Sequence, residues 1–433
     1  MKKISIYSLI AVLSLGFLSC EPEFTNPSTA TEEQAINNAD ALIALANGLQ
    51  FRYSVGRASN VYNTISCSGL STKELNVLNA GNTGEDLLRL GAANVQGNNS
   101  LVTSLWANSN LIKSHADLII KNIDKIREPG VKSGVLAHTS IMRALALGDL
   151  ATFWEKAPIV VAENATFSAR TDVLKDAIAQ LEKAAVELKT NPITPAFSAK
   201  IVSGIDYPNT INALIARYSN MLGDNQKAID AANLVNLKVR SFFAHDDISR
   251  NAFFETSTSN RNVCEPFNAK PKLMGLPDSV NVNDKRIAFY INSTASLNLG
   301  RASFYTANTA SVPVYRPSEM TLIKAEALAR QDKVTDAIKE LDKILTKKVA
   351  DDAWGIAADL PAYLGAATKD AVLYEIYRQR CLELYLSGMK LEDSRRFGRP
   401  GPKATGAERT RSFYPYPLSE RDNNPNTPAD PAE

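Results

Sequence analysis

The chain has few of the residues on which catalytic and metal sites usually depend. Its 433 residues include three histidines and four cysteines, and none of these lies at the short spacing of a metal or redox motif. The sequence contains no His-Glu-x-x-His motif, which disfavours a zinc hydrolase. It also lacks the Gly-x-Ser-x-Gly motif of a nucleophile elbow and the Gly-x4-Gly-Lys-Ser/Thr motif of a phosphate-binding loop. Adjacent acids such as Asp246-Asp247 are more typical of a solvated surface. A glycosidase with two carboxylates on separate loops would leave no such signature and stays open.

An excess of charge of one sign is also missing. The 48 Lys and Arg residues nearly balance the 46 Asp and Glu residues, for a formal net charge of +2. Nucleic-acid binding needs a concentrated basic face, so no nucleic-acid partner is expected. With 45% hydrophobic and 22% charged residues, the chain is too apolar for a disordered protein.

The N-terminus has the pattern of an export signal. Lys2 and Lys3 precede an apolar stretch over 4–18, which is too short for a membrane-spanning helix but fits a secretory signal. The stretch ends in Leu18-Ser19-Cys20, which resembles a bacterial lipobox. We therefore expect 1–19 to be a lipoprotein signal peptide, Cys20 to be acylated, and 20–40 to contain an acidic, proline-bearing tether. The alternative is an ordinary signal peptide followed by an incidental cysteine.

Removing the signal peptide changes the charge balance. Its two lysines are lost with no acid, which leaves 46 basic residues, as many as the 46 acidic ones. A neutral mature protein suits an uncharged ligand that is recognised by stacking and hydrogen bonds.

Apolar residues recur every three to four positions in much of the chain, which predicts amphipathic helices. Two of these segments contain turns, at 223–225 and 331–333, so each is predicted to be a pair of helices joined as a hairpin. When the two hairpins are aligned, Ala216 and Ala325 occupy equivalent positions, where a helix pair needs a small residue for close approach. Such pairs resemble tetratricopeptide (TPR) repeats. The predicted fold is mainly α, with TPR-like hairpins at about 105–240 and 318–397 in an α/α superhelix. The periodic segments are 105–128, 135–154, 173–188, 212–237 and 320–347.

Three stretches lack this periodicity and are predicted to be irregular. The segment 50–104 is rich in Asn, Gly and Ser, 241–315 carries aromatic residues among Asn, Ser and Thr, and 398–433 is rich in Pro, Arg and Asn. Long insertions in a compact protein are usually functional or disordered. We therefore expect a single domain over 41–433 in which helices form the scaffold and 50–104 and 241–315 form the variable surface.

Three motifs in the C-terminal half resemble those of the SusD/RagB family of Bacteroidetes nutrient-binding lipoproteins. The segment 316–327 is similar to R-x-x-E-x-x-L-x-x-A-E-A, 379–398 to E-R-R-x-E-L-x-x-E-G-x-R-x-x-D-x-R-R-x-G, and 414–426 to Y-P-I-P-x-x-E…N-P. The second motif departs from the family pattern at Gln379, Cys381, Ser387 and Lys390. A fourth, weaker block spans 143–158.

The resemblance implies a SusD-like, non-enzymatic protein on the cell surface. Such a protein is anchored in the outer membrane by its lipid, captures an oligosaccharide or in some members a peptide, and forms a lid on a SusC-like TonB-dependent transporter. No cofactor is implied. The charged motif residues lie beside apolar helix faces, where paired ions are the stable arrangement, so we interpret the motif residues as structural. They are Arg316, Glu319, Glu326, Arg380, Glu383, Gly388, Asp393, Arg395, Arg396, Pro415, Pro417, Glu420, Asn424 and Pro425.

Sugar sites combine flat aromatic faces with planar polar groups that bind hydroxyls. The three tryptophans lie outside the two insertions, so a platform of several Trp rings is not expected. A surface glycosidase and an adaptor that binds only protein are the competing classes. The ligand-binding candidates, all within the insertions, are Tyr62, Asn76, Asn79, Asn82, Tyr290, Arg301, Phe304 and Tyr305.

Besides Cys20, three cysteines remain, so at most one disulfide can form among Cys67, Cys264 and Cys381. Cys381 lies in an apolar helical pattern and is expected to be a buried free thiol.

Overall fold

The protein is mainly helical, as predicted. The computed structural model describes residues 36–259, 262–266, 275–276, 278–291 and 304–432, and none of the helices in these ranges is long and apolar enough to cross a membrane. The α-helices are α1 (Ala39–Ser54), α2 (Asn60–Ser71), α3 (Thr83–Leu90), α4 (Ser100–Lys121), α5 (Pro129–Phe153), α6 (Arg170–Thr190), α7 (Pro195–Ser198), α8 (Tyr207–Leu222), α9 (Asn225–Asn233), α10 (Lys285–Tyr290), α11 (Pro317–Arg330), α12 (Val334–Leu345), α13 (Lys369–Glu383), α14 (Lys390–Arg396) and α15 (Leu418–Asn423).

The long helices stack in chain order. Helix α4 packs on α5, α5 on α6, and α6 on α8, after which the hairpin α8–α9 packs on the hairpin α11–α12 through contacts of α9 with α11. Helix α13 then covers α11 and α12. This is the predicted TPR-like arrangement of antiparallel helix pairs.

Small residues allow these pairs to approach closely. Ala216 in α8 and Ala325 in α11, which the sequence places at equivalent positions, are both completely buried, as are Ala228 in α9 and Ala337 in α12. A smaller core of Leu, Ile, Val and Ala lies between α11, α12 and α13, apart from the main core.

Pro129 begins a helix directly after the predicted periodic segment 105–128. Helix α4 ends at Lys121, and α5 has Pro129 in its first turn. The Glu128 side chain accepts hydrogen bonds from the backbone N–H groups of Gly130 and Val131 at 3.1 and 2.5 Å. Proline is favoured here because the first helical residues have no intrahelical N–H partner.

The first insertion is more regular than its composition suggests. Helices α2 and α3 and part of α1 lie in 50–104, because buried Val61, Ile65 and Leu70 give α2 an apolar face despite its Asn and Ser residues. The strands are short and pair in antiparallel twos: β1 (Leu75–Val77) with β5 (Cys264–Pro266), β2 (Lys156–Ala157) with β3 (Ser168–Ala169), and β4 (Phe242–Phe243) with β6 (Val312–Pro313).

Candidate ligand-binding face

The two insertions meet through a pair of strands. Strand β1 from the first insertion pairs with β5 from the second, with Asn76 opposite Glu265 and Val77 opposite Cys264. The ladder continues where the backbone N–H of Leu78 donates to the carbonyl of Val263 at 2.9 Å. Segments almost 190 residues apart in the sequence therefore form one surface.

Three asparagines collect at the end of this ladder. The Asn79 side chain donates from Nδ2 to Oδ1 of Asn262 at 3.1 Å, and Asn82 donates from Nδ2 to the backbone carbonyls of Asn79 and Asn262 at 3.1 and 2.9 Å. All of these contacts are solvent-exposed. Asn79, Asn82 and Asn262, together with Asn76 on β1, are called the amide face below.

A buried carboxylate fixes the helix that follows the amide face. Glu85, in the first turn of α3, is completely buried, and its Oε1 accepts from Nη2 of Arg57 at 2.6 Å and from the hydroxyl of Tyr62 at 2.7 Å. Because these partners lie on or beside α2, the loop of Asn79 and Asn82 is held between two anchored elements. Such a support gives a surface site its shape.

The predicted aromatic ligand residues require a correction. Tyr62, Tyr290, Phe304 and Tyr305 are only 0–5% exposed, so their rings belong to the core and present no free face for stacking. The hydroxyls of Tyr290 and Tyr305 donate to the carbonyls of Glu383 and Leu386 at 3.1 and 2.7 Å. These aromatic residues fill the interior between the second insertion and the helices. Of the remaining candidates, Arg301 and the lipid-attachment residue Cys20 lie outside the described residues.

Asn262 is a member of the amide face that the sequence interpretation missed. The signal that could have found it is the run Asn260-Arg261-Asn262 in the polar second insertion. Its partnership with Asn79 depends on the β1–β5 register, which the local sequence pattern does not show.

The three tryptophans divide into two roles. Trp106 and Trp154 are buried, and their indole N–H groups donate to the C-terminal segment, at Oε2 of Glu420 (3.1 Å) and the carbonyl of Pro415 (3.0 Å). Trp354 is half-buried, with the guanidinium of Arg240 4.8 Å from its ring centroid. Trp354 also packs edge-on against other rings, so a cluster of exposed Trp rings does not form.

The first charged motif ties the scaffold helices together. Arg316 donates to the Tyr290 hydroxyl and to the carbonyls of Glu383 and Tyr385 at 2.8–2.9 Å. Glu319 forms a two-point ion pair with Arg217 of α8 at 2.7 and 2.6 Å. Glu326 forms another with Arg396 at 2.8 and 2.9 Å. These side chains contact other helices and backbone groups in the interior.

The second charged motif forms a set of buried ion pairs, called the ion-pair network below. Arg380 and Asp393 make a two-point pair at 2.8 and 3.0 Å. Glu383 accepts from Arg286 at 3.0 Å and pairs with Lys347. Arg395 donates to Oε2 of Glu392 at 2.5 Å.

The C-terminal segment is attached to this network and to the adjacent helices. Arg395 donates to the carbonyl of Ser412 and to that of Thr152 at the end of α5. Pro415 and Pro417 are buried, whereas Pro425 is exposed. Asn424 donates to the carbonyl of Ala165 at 3.0 Å and to Oε1 of Glu420 at 2.9 Å.

The departures from the family pattern are accommodated locally. Gln379 accepts from Nη2 of Arg286 at 2.5 Å, so it takes part in the network without a charge. Ser387 donates to the carbonyl of Leu384 at 2.6 Å, and Lys390 donates to that of Gly275 at 3.0 Å. Cys381 is buried and unpaired, as predicted, and Cys67 and Cys264 are also buried free thiols.

Glu326 and Glu392 stay ionised despite burial. Burial acts to raise the pKa of Glu326, but the guanidinium groups of Arg396, Arg380 and Arg330 lower it to about 2. Burial opposes ionisation of Glu392 in the same way, and Arg395, Arg170 and Arg396 bring its pKa to about 2. Such pairs hold elements in place, because removing one partner leaves a buried unpaired charge. In the described part of the chain, no group of three or more His, Cys, Asp and Glu residues could hold a metal ion.

Comparison with known proteins agrees with the motifs and the fold. The model of the SusD family matches residues 275–430, which include all three C-terminal motifs. Over this segment the chain is similar to the SusD/RagB family. The fourth block, at 143–158, lies outside the matched segment. A search of the curated proteins found no match.

Solved SusD-like structures share the fold over nearly their whole length. A putative sugar binding protein from Bacteroides vulgatus is 16% identical, with a TM-score of 0.70 over 92% of this chain and 99% of that one. A SusD superfamily protein from Bacteroides fragilis is 16% identical, with a TM-score of 0.68 over 90% and 98%. Surface glycan-binding protein A from Bacteroides thetaiotaomicron, solved in complex with laminarihexaose, is 14% identical, with a TM-score of 0.66 over 90% and 98%.

Proposed function

We propose that this protein is a member of the SusD family that captures an oligosaccharide at the cell surface and passes it to a SusC-like TonB-dependent transporter. The observation that carries the proposal is the shared fold with a SusD-like protein that was crystallised with laminarihexaose, over 90% of this chain. Family membership alone does not choose the ligand. The residues of this chain must therefore supply the recognition.

The amide face has the chemistry for this role. Asparagine amides offer both a donor and an acceptor, the combination that sugar hydroxyls need. Because the amides of Asn79 and Asn82 are solvent-exposed and already oriented by contacts with Asn262, little conformational entropy is lost when a ligand binds. The neutral mature chain also suits an uncharged glycan.

The location proposed is the outer surface of the outer membrane. The lipobox-like Leu18-Ser19-Cys20 supports acylation of Cys20, and several buried acyl chains make a stable anchor, at about 0.8 kcal/mol per buried CH₂. Labelling with radioactive palmitate tests this. Wild-type protein is expected to take up the label and Cys20→Ala to take up none, whereas equal labelling of both would refute the anchor.

Titration calorimetry with a glycan panel tests the binding function. The proposal predicts binding of at least one oligosaccharide in a set that includes laminarihexaose, with no release of shorter products after prolonged incubation. Binding of a peptide mixture with no glycan signal would overturn glycan capture and select a peptide ligand. Product release would overturn the non-catalytic role.

A further inference from the structure

A cleft opens on the surface of the C-terminal half, between helices α11 and α13 and the segment 396–399 at the end of α14. Its volume is about 380 Å³, within the range of about 300–1,000 Å³ that is typical of small-molecule sites. None of the residues of the amide face lines this cleft. It is therefore a separate place at which a small ligand can bind.

Two guanidinium groups of the wall each have a free NH₂ group. Nε and Nη2 of Arg330 both contact Oε1 of Glu326, at 2.9 and 2.8 Å. Nε and Nη2 of Arg399 contact Oε1 of Glu408 in the same way, at 2.7 and 2.6 Å. Among the described residues, Nη1 of Arg330 and Nη1 of Arg399 have no hydrogen-bond partner, and neither nitrogen is buried. Both can donate to a molecule in the cleft.

Asp370 supplies an acceptor in the same wall. It is an exposed residue in the first turn of α13, and its carboxylate makes no hydrogen bond or ion pair with the part of the chain that the structure describes. The neighbouring Lys369 is paired with Asp332 at 3.0 Å. Free donors and a free acceptor therefore border one cleft, and a hydroxyl group can use both, because it donates and accepts.

Half-buried rings alternate with the guanidinium groups along the wall. Tyr374 and Phe397 both line the cleft, and Phe397 packs on the buried Tyr377 with ring centroids 5.5 Å apart. The guanidinium carbon of Arg399 lies 4.6 Å from the ring centroid of Tyr374, and that of Arg330 lies 5.2 Å from the centroid of Phe397. Such flat surfaces suit the CH groups of a sugar ring.

The charges in and directly behind the wall balance. The other carboxylates that contact Arg396 are shared with further arginines of the ion-pair network. Asp278, which accepts from the hydroxyl of Tyr374, does not line the cleft. A neutral wall favours an uncharged ligand over an anion or a cation. The charges that balance are those of Arg330, Arg396 and Arg399 against those of Glu326, Glu408 and Asp370.

We propose that this cleft binds an uncharged sugar unit, whose hydroxyl groups contact Nη1 of Arg330, Nη1 of Arg399 and the carboxylate of Asp370. The ring of the sugar lies against Tyr374 and Phe397. Because buried carboxylates already hold both guanidinium groups, little conformational entropy is lost when the sugar binds. The site shares no residue with the amide face and does not depend on glycan capture there.

Saturation-transfer NMR of the whole protein with the methyl glycosides of glucose, galactose and mannose tests the proposal. The Asn79→Ala/Asn82→Ala double variant serves as the background, so that the amide face does not contribute. At least one glycoside is expected to bind, about fivefold or more tightly than cyclohexanol, which has one hydroxyl. No glycoside binding, or equal binding of cyclohexanol, would refute the sugar site. Glucuronate or glucosamine binding about tenfold more tightly than every glycoside would show a site for a charged ligand and overturn the proposal.

Variants connect the binding to the cleft. Added to the background, Asp370→Ala removes the free acceptor and is expected to weaken glycoside binding about fivefold. Arg399→Lys keeps a cation beside Glu408 but lacks the second NH₂ group, and is expected to weaken binding several-fold. Asp172→Ala is the matched control, because Asp172 is also an exposed acid in the first turn of a helix, α6, and it should bind like the background. Unchanged binding by a folded Asp370→Ala protein, with the fold checked by circular dichroism, would refute the site.

Discussion

Carboxylates with little solvent contact behave in two opposite ways in this molecule, according to whether an arginine forms an ion pair with them. Glu326 has Arg396 at 2.8 and 2.9 Å, and its pKa is lowered to about 2. Asp149 is surrounded by amide and phenol groups without an ion-pair partner, and burial raises its pKa to about 7. The first carboxylate stabilises the fold when ionised, and the second destabilises it when ionised.

Glu326→Gln tests the first case through the pH dependence of stability. Because the folded pKa lies below the unfolded value, the contribution of Glu326 is present above pH 4.5 and disappears as the pH falls from about 4.5 towards 2. Urea unfolding is expected to show a loss on the order of 3 kcal/mol at pH 7 that becomes small near pH 2. An equal loss at both pH values would contradict this. Asp172→Asn, on an exposed helix face, is the control and should change little at either pH.

Asp149→Asn is expected to have the opposite sign. The folded pKa of Asp149 lies above the unfolded value, so ionisation lowers the stability progressively as the pH rises from about 4 through 7. The variant should therefore unfold at a higher urea concentration than wild type at pH 8, with a free energy of unfolding larger by roughly 1–3 kcal/mol. Near pH 4 the two proteins should be about equally stable. A variant less stable than wild type at pH 8 would show that the carboxylate makes a favourable contact that outweighs its burial.

At the scale of elements, the turn between α13 and α14 depends on one glycine. Gly388 has φ +83°, and a Cβ there would lie 3.2–3.3 Å from Thr64 of α2. The family motif has its glycine at this position. The left-handed backbone conformation explains the choice of glycine, because a residue with a Cβ is less stable in this conformation by about 1–2 kcal/mol.

Gly388→Ala is expected to destabilise the protein by about 1–3 kcal/mol in urea unfolding. Gly48→Ala is the matched control, because Gly48 is an exposed residue of α1 where a Cβ would have nothing within 4 Å. The control should be neutral or gain up to about 1 kcal/mol from the better helix propensity of alanine. If both substitutions had the same effect, the special backbone conformation would not be the cause.

The long helices and the charged motifs could be predicted from the sequence, because helical periodicity and motif spacing are local. The aromatic residues of the second insertion could not be placed correctly, because Tyr290, Phe304 and Tyr305 look like surface residues among polar neighbours. Tyr290 and Tyr305 instead contact α13 and the turn that follows it, and the ring of Phe304 packs against Trp354. Asn262 was missed for the same reason, since only the pairing of β1 with β5 brings it to Asn79. Interactions between distant segments decide both cases.

At the scale of the whole molecule, the scaffold and the variable surface are physically distinct. Two-point ion pairs and small-residue helix crossings fix the TPR-like helices, whose fold is shared with solved structures at 14–16% identity. The two insertions meet at β1 and β5 and present the amide face. A change of ligand can then be achieved by substitutions on this surface with little effect on the core.

The most direct test of the amide face as the glycan site is a calorimetric titration with the glycan selected by the panel. The titration compares wild type with the Asn79→Ala/Asn82→Ala double variant, and Asn423→Ala serves as an exposed control. Two lost hydrogen-bonding amides at about 1 kcal/mol each predict an affinity at least tenfold lower for the double variant, with Asn423→Ala unchanged. Hydrogen exchange at Leu75–Val77 should confirm that the β1–β5 pairing is intact. Wild-type affinity in a double variant with this pairing intact would contradict the amide face as the glycan site.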